Sequence, residues 1–157
     1  MRDGAPEGVS GVDLSAARRA RAAPGVLDAL AAARTVLLCP SNPVVSIGPI
    51  LAVPGVQEAI QEASAPVVAV SPIIAGQPVK GPADRLLKAI GVEVSARGVA
   101  AFYGRLVDAF VLDRRDAGQR GDVERLGIRC AAEETLMRTT QVAETLARAA
   151  LDFAFAA

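Results

Sequence analysis

A chain of 157 residues, 52% hydrophobic and 22% charged, is long and apolar enough for one globular core and lies outside the composition of disordered polypeptides. Seventeen basic and seventeen acidic side chains cancel, which excludes a global pull toward nucleic acid or an anionic membrane. The complete lack of histidine excludes Ser-His-Asp and Cys-His nucleophiles and histidine-ligated zinc, leaving carboxylates, hydroxyls, Lys, Arg, backbone amides and oxygen-held hard cations.

Residues 1–23 mix Gly, Arg, Asp and Ser without apolar periodicity and read as a loosely ordered lead-in, with the folded domain over 24–157. VLDALAA at 26–32 reads as a helix, and TVLLCP at 35–40 as a short buried strand ended by proline. A helix is expected over 50–63, with its first turn delayed or broken at Pro54-Gly55. PVVAVS at 66–71 is the next strand, and residues 72–81, rich in Pro and Gly, form a loop. Gly81-Pro82-Ala83-Asp84 opens another helix, with Pro82 at its first position and Asp84 at the positive end of its dipole. Gly91 stops that helix after about Ile90, and a further helix occupies 97–105.

VDAFVLD at 107–113 and LGIRCAA at 126–132 complete the strands, and 139–153 is a closing helix. Cys39 and Cys130 each end a buried strand in this reading and are expected as small buried thiols. Strands that read as nearly continuous apolar runs, alternating with helices, predict an α/β, doubly wound, mostly parallel sheet with helices on both faces. No apolar run approaches the roughly 20 residues that cross a bilayer, and the first ten residues lack a signal-peptide core. A cytoplasmic protein with neither membrane nor nucleic-acid partners is the expectation.

In open α/β sheets, ligands sit beyond the carboxyl ends of the strands, so the loops after residues 40, 71, 113 and 132 are where function is sought. The segment 41–51 follows a strand and carries Ser41, Asn42 and Ser46 as hydrogen-bonding side chains, with Gly48 allowing close backbone approach. It reads either as a phosphate cradle or as an ordinary turn. In VKGPADR at 79–85, Lys80, Gly81, Asp84 and Arg85 surround a helix start whose free N–H groups favour an anion. Asp113, Asp116, Glu133 and Glu134 at strand ends read either as oxygen ligands for magnesium or as solvated loop charges. Neither a G-x-G-x-x-G nor a G-x-x-x-x-G-K-[ST] motif is present.

SNPVVSIGPILAVPGVQEAI at 41–60, APVVAVSPIIAGQPVKGPADRLL at 65–87 and VDAFVLDRRD at 107–116 resemble the 2-phospho-L-lactate transferase family, including its phosphoenolpyruvate-using members. Less distinctive similarity runs from about Pro24 to near Asp152. The resemblance implies a coenzyme F(420) biosynthetic transferase. It moves a 2-phospholactyl or enolpyruvyl phosphate group from a guanosine diphosphate-linked donor to a ribityl hydroxyl of the deazaflavin Fo, releasing GMP, with Mg2+ neutralising the diphosphate. It also implies contacts to donor phosphates or acceptor from Ser41, Asn42, Ser46, Gly48, Lys80, Gly81, Asp84 and Arg85.

Family members are longer, so the chain is expected to be the C-terminal part of a larger Rossmann-like fold. Metal ligands would then lie in an N-terminal half, on another chain, or the chain would associate with itself through an unpaired strand edge. The alternatives are a nucleotide-sugar-binding regulator of the same fold, or a truncated remnant without a ligand.

Overall fold

The computed structural model describes residues 11–156. A short helix, α1 (Ser15–Arg19), lies within the lead-in, where the Asp13 carboxylate accepts from the Ser15 amide at 2.8 Å, and Val12 packs against the core. Helix α2 (Val26–Ala31) leads to strand β1 (Val36–Leu38). A wide helical turn at Pro43–Ile47 then runs into α3 (Gly48–Leu51). The break at Pro54-Gly55 falls where expected, with Gly55 at φ 87°, and α4 (Val56–Glu62) starts beyond it. Helical structure therefore begins at residue 43, well before the expected 50. Asn42 caps it, and burial of Val44 and Ile47 outweighs the low helix propensity of a β-branched, proline-containing run.

Strand β2 (Val67–Val70) is followed by a hairpin, β3 (Ile73–Ile74) and β4 (Gln77–Pro78), inside the segment that reads from composition as a plain loop. Helix α5 (Ala83–Ala89) has Pro82 as its N-cap, so it starts one residue later than expected, and it ends ahead of Gly91 at φ 73°. Helix α6 (Ala96–Tyr103), strand β5 (Ala109–Asp113), helix α7 (Arg120–Glu124), strand β6 (Arg129–Glu133) and helix α8 (Thr140–Phe155) complete the order.

Four strands pair in parallel in the order β1-β2-β5-β6, with Val36 opposite Val67, Val68 opposite Ala109, and Ala109 opposite Arg129. The central strands VVAV and AFVLD are buried at every position, which is why they read as unbroken apolar runs. Alternate residues serve opposite faces. Leu38, Ala69, Phe110, Leu112 and Cys130 join one core with Ile47, Ile60, Leu87, Val99 and Val123 from the connecting helices. Val68, Val70, Ala109 and Val111 join a second core with Leu146, Ala150 and Ala154, one stripe of α8 at intervals of four. Helices thus cover both faces of a parallel sheet. Because the strands follow one another in space as in sequence, the connecting segments gather on one face and α8 covers the other.

Two cysteine expectations need correcting. Cys39 is exposed, because pairing stops at Leu38 and the chain turns, the Ser41 amide donating to the Cys39 carbonyl at 2.7 Å. Cys130 is buried but sits inside β6, where burial, with a further push from Glu124, raises its thiol to about 11. Buried Tyr103 has no partner for its hydroxyl among the described residues, and burial lifts its pKa well above the ordinary value. No single helix among the described residues is long and apolar enough to cross a membrane.

The start of α6 carries a first prediction. Ser95 caps it by accepting from the Gly98 amide at 2.8 Å, and a Cβ on Gly98 would press into the Glu93 carbonyl group. Alanine ordinarily favours a helix interior over glycine by up to about 1 kcal/mol. Gly98→Ala reverses that sign here, costing about 1–3 kcal/mol as overpacking, read as a lower urea midpoint.

Candidate functional site

The carboxyl ends of β1 and β2 open onto one cavity of about 410 Å³. Its first wall follows β1. The Asn42 side-chain oxygen accepts from the Val44 and Val45 amides at 2.9 and 3.2 Å, starting the wide turn, and the Asn42 carbonyl accepts from both Ser46 and Ile47 at 3.0 Å. Ser41, Asn42, Val45 and Ser46 consequently face the cavity. The second wall runs from β4 into α5 and contributes Val79, Lys80 and Gly81, with Gly81 at φ 75° making the bend between them. Pro40, Pro72, Pro78 and Pro82 stand around the same space and give it stiff, apolar sides.

Five of the eight residues singled out from sequence thus meet in one place: Ser41, Asn42, Ser46, Lys80 and Gly81. Gly48, Asp84 and Arg85 do not line it. Gly48 meets a different need, since a Cβ there would lie 3.0 Å from the Pro43 carbonyl oxygen beneath the wide turn. Asp84 is half-buried in the first turn of α5, and Arg85 points from the exposed side of that helix. Lys80 is exposed and forms no ion pair among the described residues, so its ammonium is available to an anion in the cavity. The prolines and valines of the walls escaped sequence reading, although Pro72, two residues beyond the end of β2, stands where the strand-end rule directs attention.

The carboxylates at the ends of β5 and β6 are engaged within the protein. Asp113, fully buried, accepts from the Arg115 amide at 3.0 Å and from the Thr135 amide and hydroxyl at 3.1 and 3.0 Å. Burial pushes its pKa up, but these hydrogen bonds and the Arg115 guanidinium more than offset that and hold it below the usual value. Asp116, also buried, accepts from the Ala75 and Gly76 amides and from Gln119. Glu133 pairs with Arg114 at 2.9 Å and Glu134 with Arg115 at 3.2 Å. A smaller cavity of about 190 Å³ beside them is lined by charges already matched in this way.

Among the described residues no three His, Cys, Asp or Glu side chains are grouped to hold one metal ion. Asp113, Asp116, Glu133 and Glu134 instead tie the loops at the carboxyl edge together through these hydrogen bonds and ion pairs.

Residues 4–140 match the sequence profile of a family described as 2-phospho-L-lactate transferase CofD. The match reaches back into the lead-in, twenty residues ahead of Pro24. The phosphoenolpyruvate transferase of Streptomyces griseus is 50% identical over 139 residues, which are 88% of this chain and 44% of that protein. The 2-phospho-L-lactate transferase of Methanosarcina barkeri is 45% identical over 146 residues, 93% of this chain and 46% of that one. The chain thus spans less than half the length of these curated relatives. Protein BH3568 of Bacillus halodurans, a crystal structure, superposes with a TM-score of 0.54 over 83% of this chain and 47% of its own, at 18% identity, and shares the fold. On the profile match and these identities, the chain belongs to the 2-phospho-L-lactate transferase family.

Proposed function

We propose that this chain supplies part of the active site of a transferase in coenzyme F(420) biosynthesis. The reaction moves a 2-phospholactyl or enolpyruvyl phosphate group from a guanosine diphosphate-linked donor to a ribityl hydroxyl of the deazaflavin Fo and releases GMP. The cavity between residues 41–46 and 78–83 takes an anionic group of the donor. The observation that carries this is the convergence of Ser41, Asn42 and Ser46 with Lys80, from separate segments, on one proline-walled space holding an ammonium that forms no ion pair among the described residues.

The chemistry these residues contribute is positioning and charge neutralisation. The Lys80 ammonium offsets charge on a phosphate oxygen, and the Ser41 and Ser46 hydroxyls donate to neighbouring oxygens. The apolar walls displace water, which strengthens both interactions. Magnesium enters only as a counter-ion of the donor, and none of the described carboxylates is assigned to it.

The test is calorimetric titration of the chain with GDP and with Fo, repeated on Lys80→Ala. GDP is expected to bind, and Lys80→Ala to weaken it about 10- to 100-fold, the roughly 1.5–3 kcal/mol of a charged hydrogen bond. Unchanged GDP affinity in Lys80→Ala would remove the cavity from the donor site. Binding of GDP without Fo would overturn the acceptor half of the proposal.

A further inference from the structure

The cavity wall that carries Lys80 is held by a residue that does not line the cavity. Strands β3 and β4 pair over two positions only, Ile73 with Pro78 and Ile74 with Gln77. A two-stranded ribbon this short does not stand on its own in water. Its turn makes matters worse, because Ala75 and Gly76 both lie in the left-handed region, at φ 51° and 72°. Such a turn suits Asn-Gly or Gly-Gly, and alanine at its first position is strained. Ala75 is the one non-glycine residue with positive φ among those described.

Asp116 lies next to this turn although it is some forty residues away in sequence. Its carboxylate is buried, and its two oxygens accept from the Ala75 amide at 2.7 Å and the Gly76 amide at 2.9 Å. Consecutive N–H groups in a tight turn form a concave nest for an anion, and a charged acceptor makes both bonds stronger than neutral ones. Gln119 holds the carboxylate in turn, donating to it at 3.3 Å while accepting from the Arg97 amide at the start of α6 at 3.0 Å. The tip of the hairpin is thereby tied to the β5 end of the sheet and to α6. From Gly76 the chain passes through β4 directly to Val79 and Lys80, so the turn sets where that wall stands.

We infer that Asp116 is a positioning residue: by clamping the strained Ala75-Gly76 turn it fixes the wall that presents the Lys80 ammonium to the cavity. The consequence for ligand binding rests on the assignment of that cavity to an anionic group; the clamp itself does not.

The experiment combines amide hydrogen exchange over residues 73–81 with GDP titration. The variants are Asp116→Ala, Asp116→Asn, Lys80→Ala, the pair Asp116→Ala with Lys80→Ala, and the pair Asp116→Asn with Ala75→Gly. All are measured below the temperature at which any of them begins to unfold. Asp116→Asn keeps the side-chain shape and serves if the alanine variant does not fold.

Exchange at Ala75, Gly76 and Gln77 is expected to rise at least tenfold in the Asp116 variants while β5 and α8 stay protected. GDP affinity should fall as far as in Lys80→Ala, and the pair Asp116→Ala with Lys80→Ala should bind no more weakly than Lys80→Ala alone. Ala75→Gly, by relieving the turn, should return part of the affinity lost in Asp116→Asn. Unchanged hairpin exchange overturns the clamp, and losses that multiply in the Asp116→Ala, Lys80→Ala pair overturn its action through Lys80. Faster hairpin exchange together with normal GDP binding by Lys80→Ala upholds the clamp and sinks the donor-site reading instead.

Discussion

Asp113→Ala is expected to lower folding stability by about 2–4 kcal/mol, with a matching fall in urea midpoint at neutral pH. The carboxylate ends the central strand β5 with no exposure to solvent and satisfies three donors on two different loops, the Arg115 amide and the amide and hydroxyl of Thr135. Truncation leaves the buried Thr135 groups without partners, and an unsatisfied buried donor costs about 1–3 kcal/mol. The Arg115 guanidinium, 3.5 Å from the carboxylate and nearly half exposed, adds little beside that.

The same residue gives a pH dependence whose sign is fixed. Its pKa in the folded protein lies below the unfolded value, so the folded state favours the charged form. The stability this supplies is complete above the unfolded value, about 4, and is lost as pH falls from there through the folded value. The wild-type urea midpoint should therefore decline below about pH 4, and the decline should be shallower in Asp113→Asn, which has no carboxyl to protonate. Parallel profiles for the two proteins would show that other carboxylates dominate the acid limb.

Phe110→Ala is expected to cost about 3–5 kcal/mol. Phe110 is the largest of the fully buried side chains, and it lies on the sheet face that meets the connecting helices, between Ala69 of β2 and Cys130 of β6. Its immediate strand neighbours are small, so nothing on the sheet can move in to fill the space. Against the 5–15 kcal/mol that ordinarily separates folded from unfolded domains, this one change removes a large share of the margin. Denaturant melts should show a lower midpoint with an unchanged slope; a lower slope would mean that the folded state itself had loosened.

Much of the architecture was readable because its signals are local. VVAV and AFVLD announce strands buried on both faces, Pro54-Gly55 announces a break, and Gly91 a helix end. The features that escaped depend on partners far away in sequence. The helical turn at 43–47 contains Pro43, Val44 and Val45, poor helix formers, and exists because Asn42 caps it and Val44 and Ile47 find a core. The β3–β4 hairpin has no Asn-Gly signal, and its turn is held by Asp116. Cys39 reads as strand because the apolar run continues one residue beyond the last paired position.

The candidate site divides in the same way. Ser41, Asn42 and Ser46 were visible from their place after β1, and Lys80 and Gly81 from theirs before α5. Asp84 and Arg85, one and two residues beyond Ala83, share that sequence neighbourhood, but Ala83 is the last of the segment to line the cavity. The carboxylates after β5 and β6 carry the residue types of a cation site, and only their hydrogen bonds reveal that the loops already use them.

The arrangement of cores also bears on how the chain folds as it is made. Because β1, β2, β5 and β6 lie side by side in the order of their synthesis, each strand emerging from a ribosome can dock on the one before it, its connecting helices closing the first core as they appear. Among the described elements the opposite face has no such stepwise cover. Among the described residues, Val68, Val70, Ala109 and Val111 are covered by α8, which follows all four strands in the chain and lays Leu146, Ala150 and Ala154 across them. Until α8 docks, these four strand residues form an apolar sheet surface, the kind that chaperones hold and that unfinished chains share with one another.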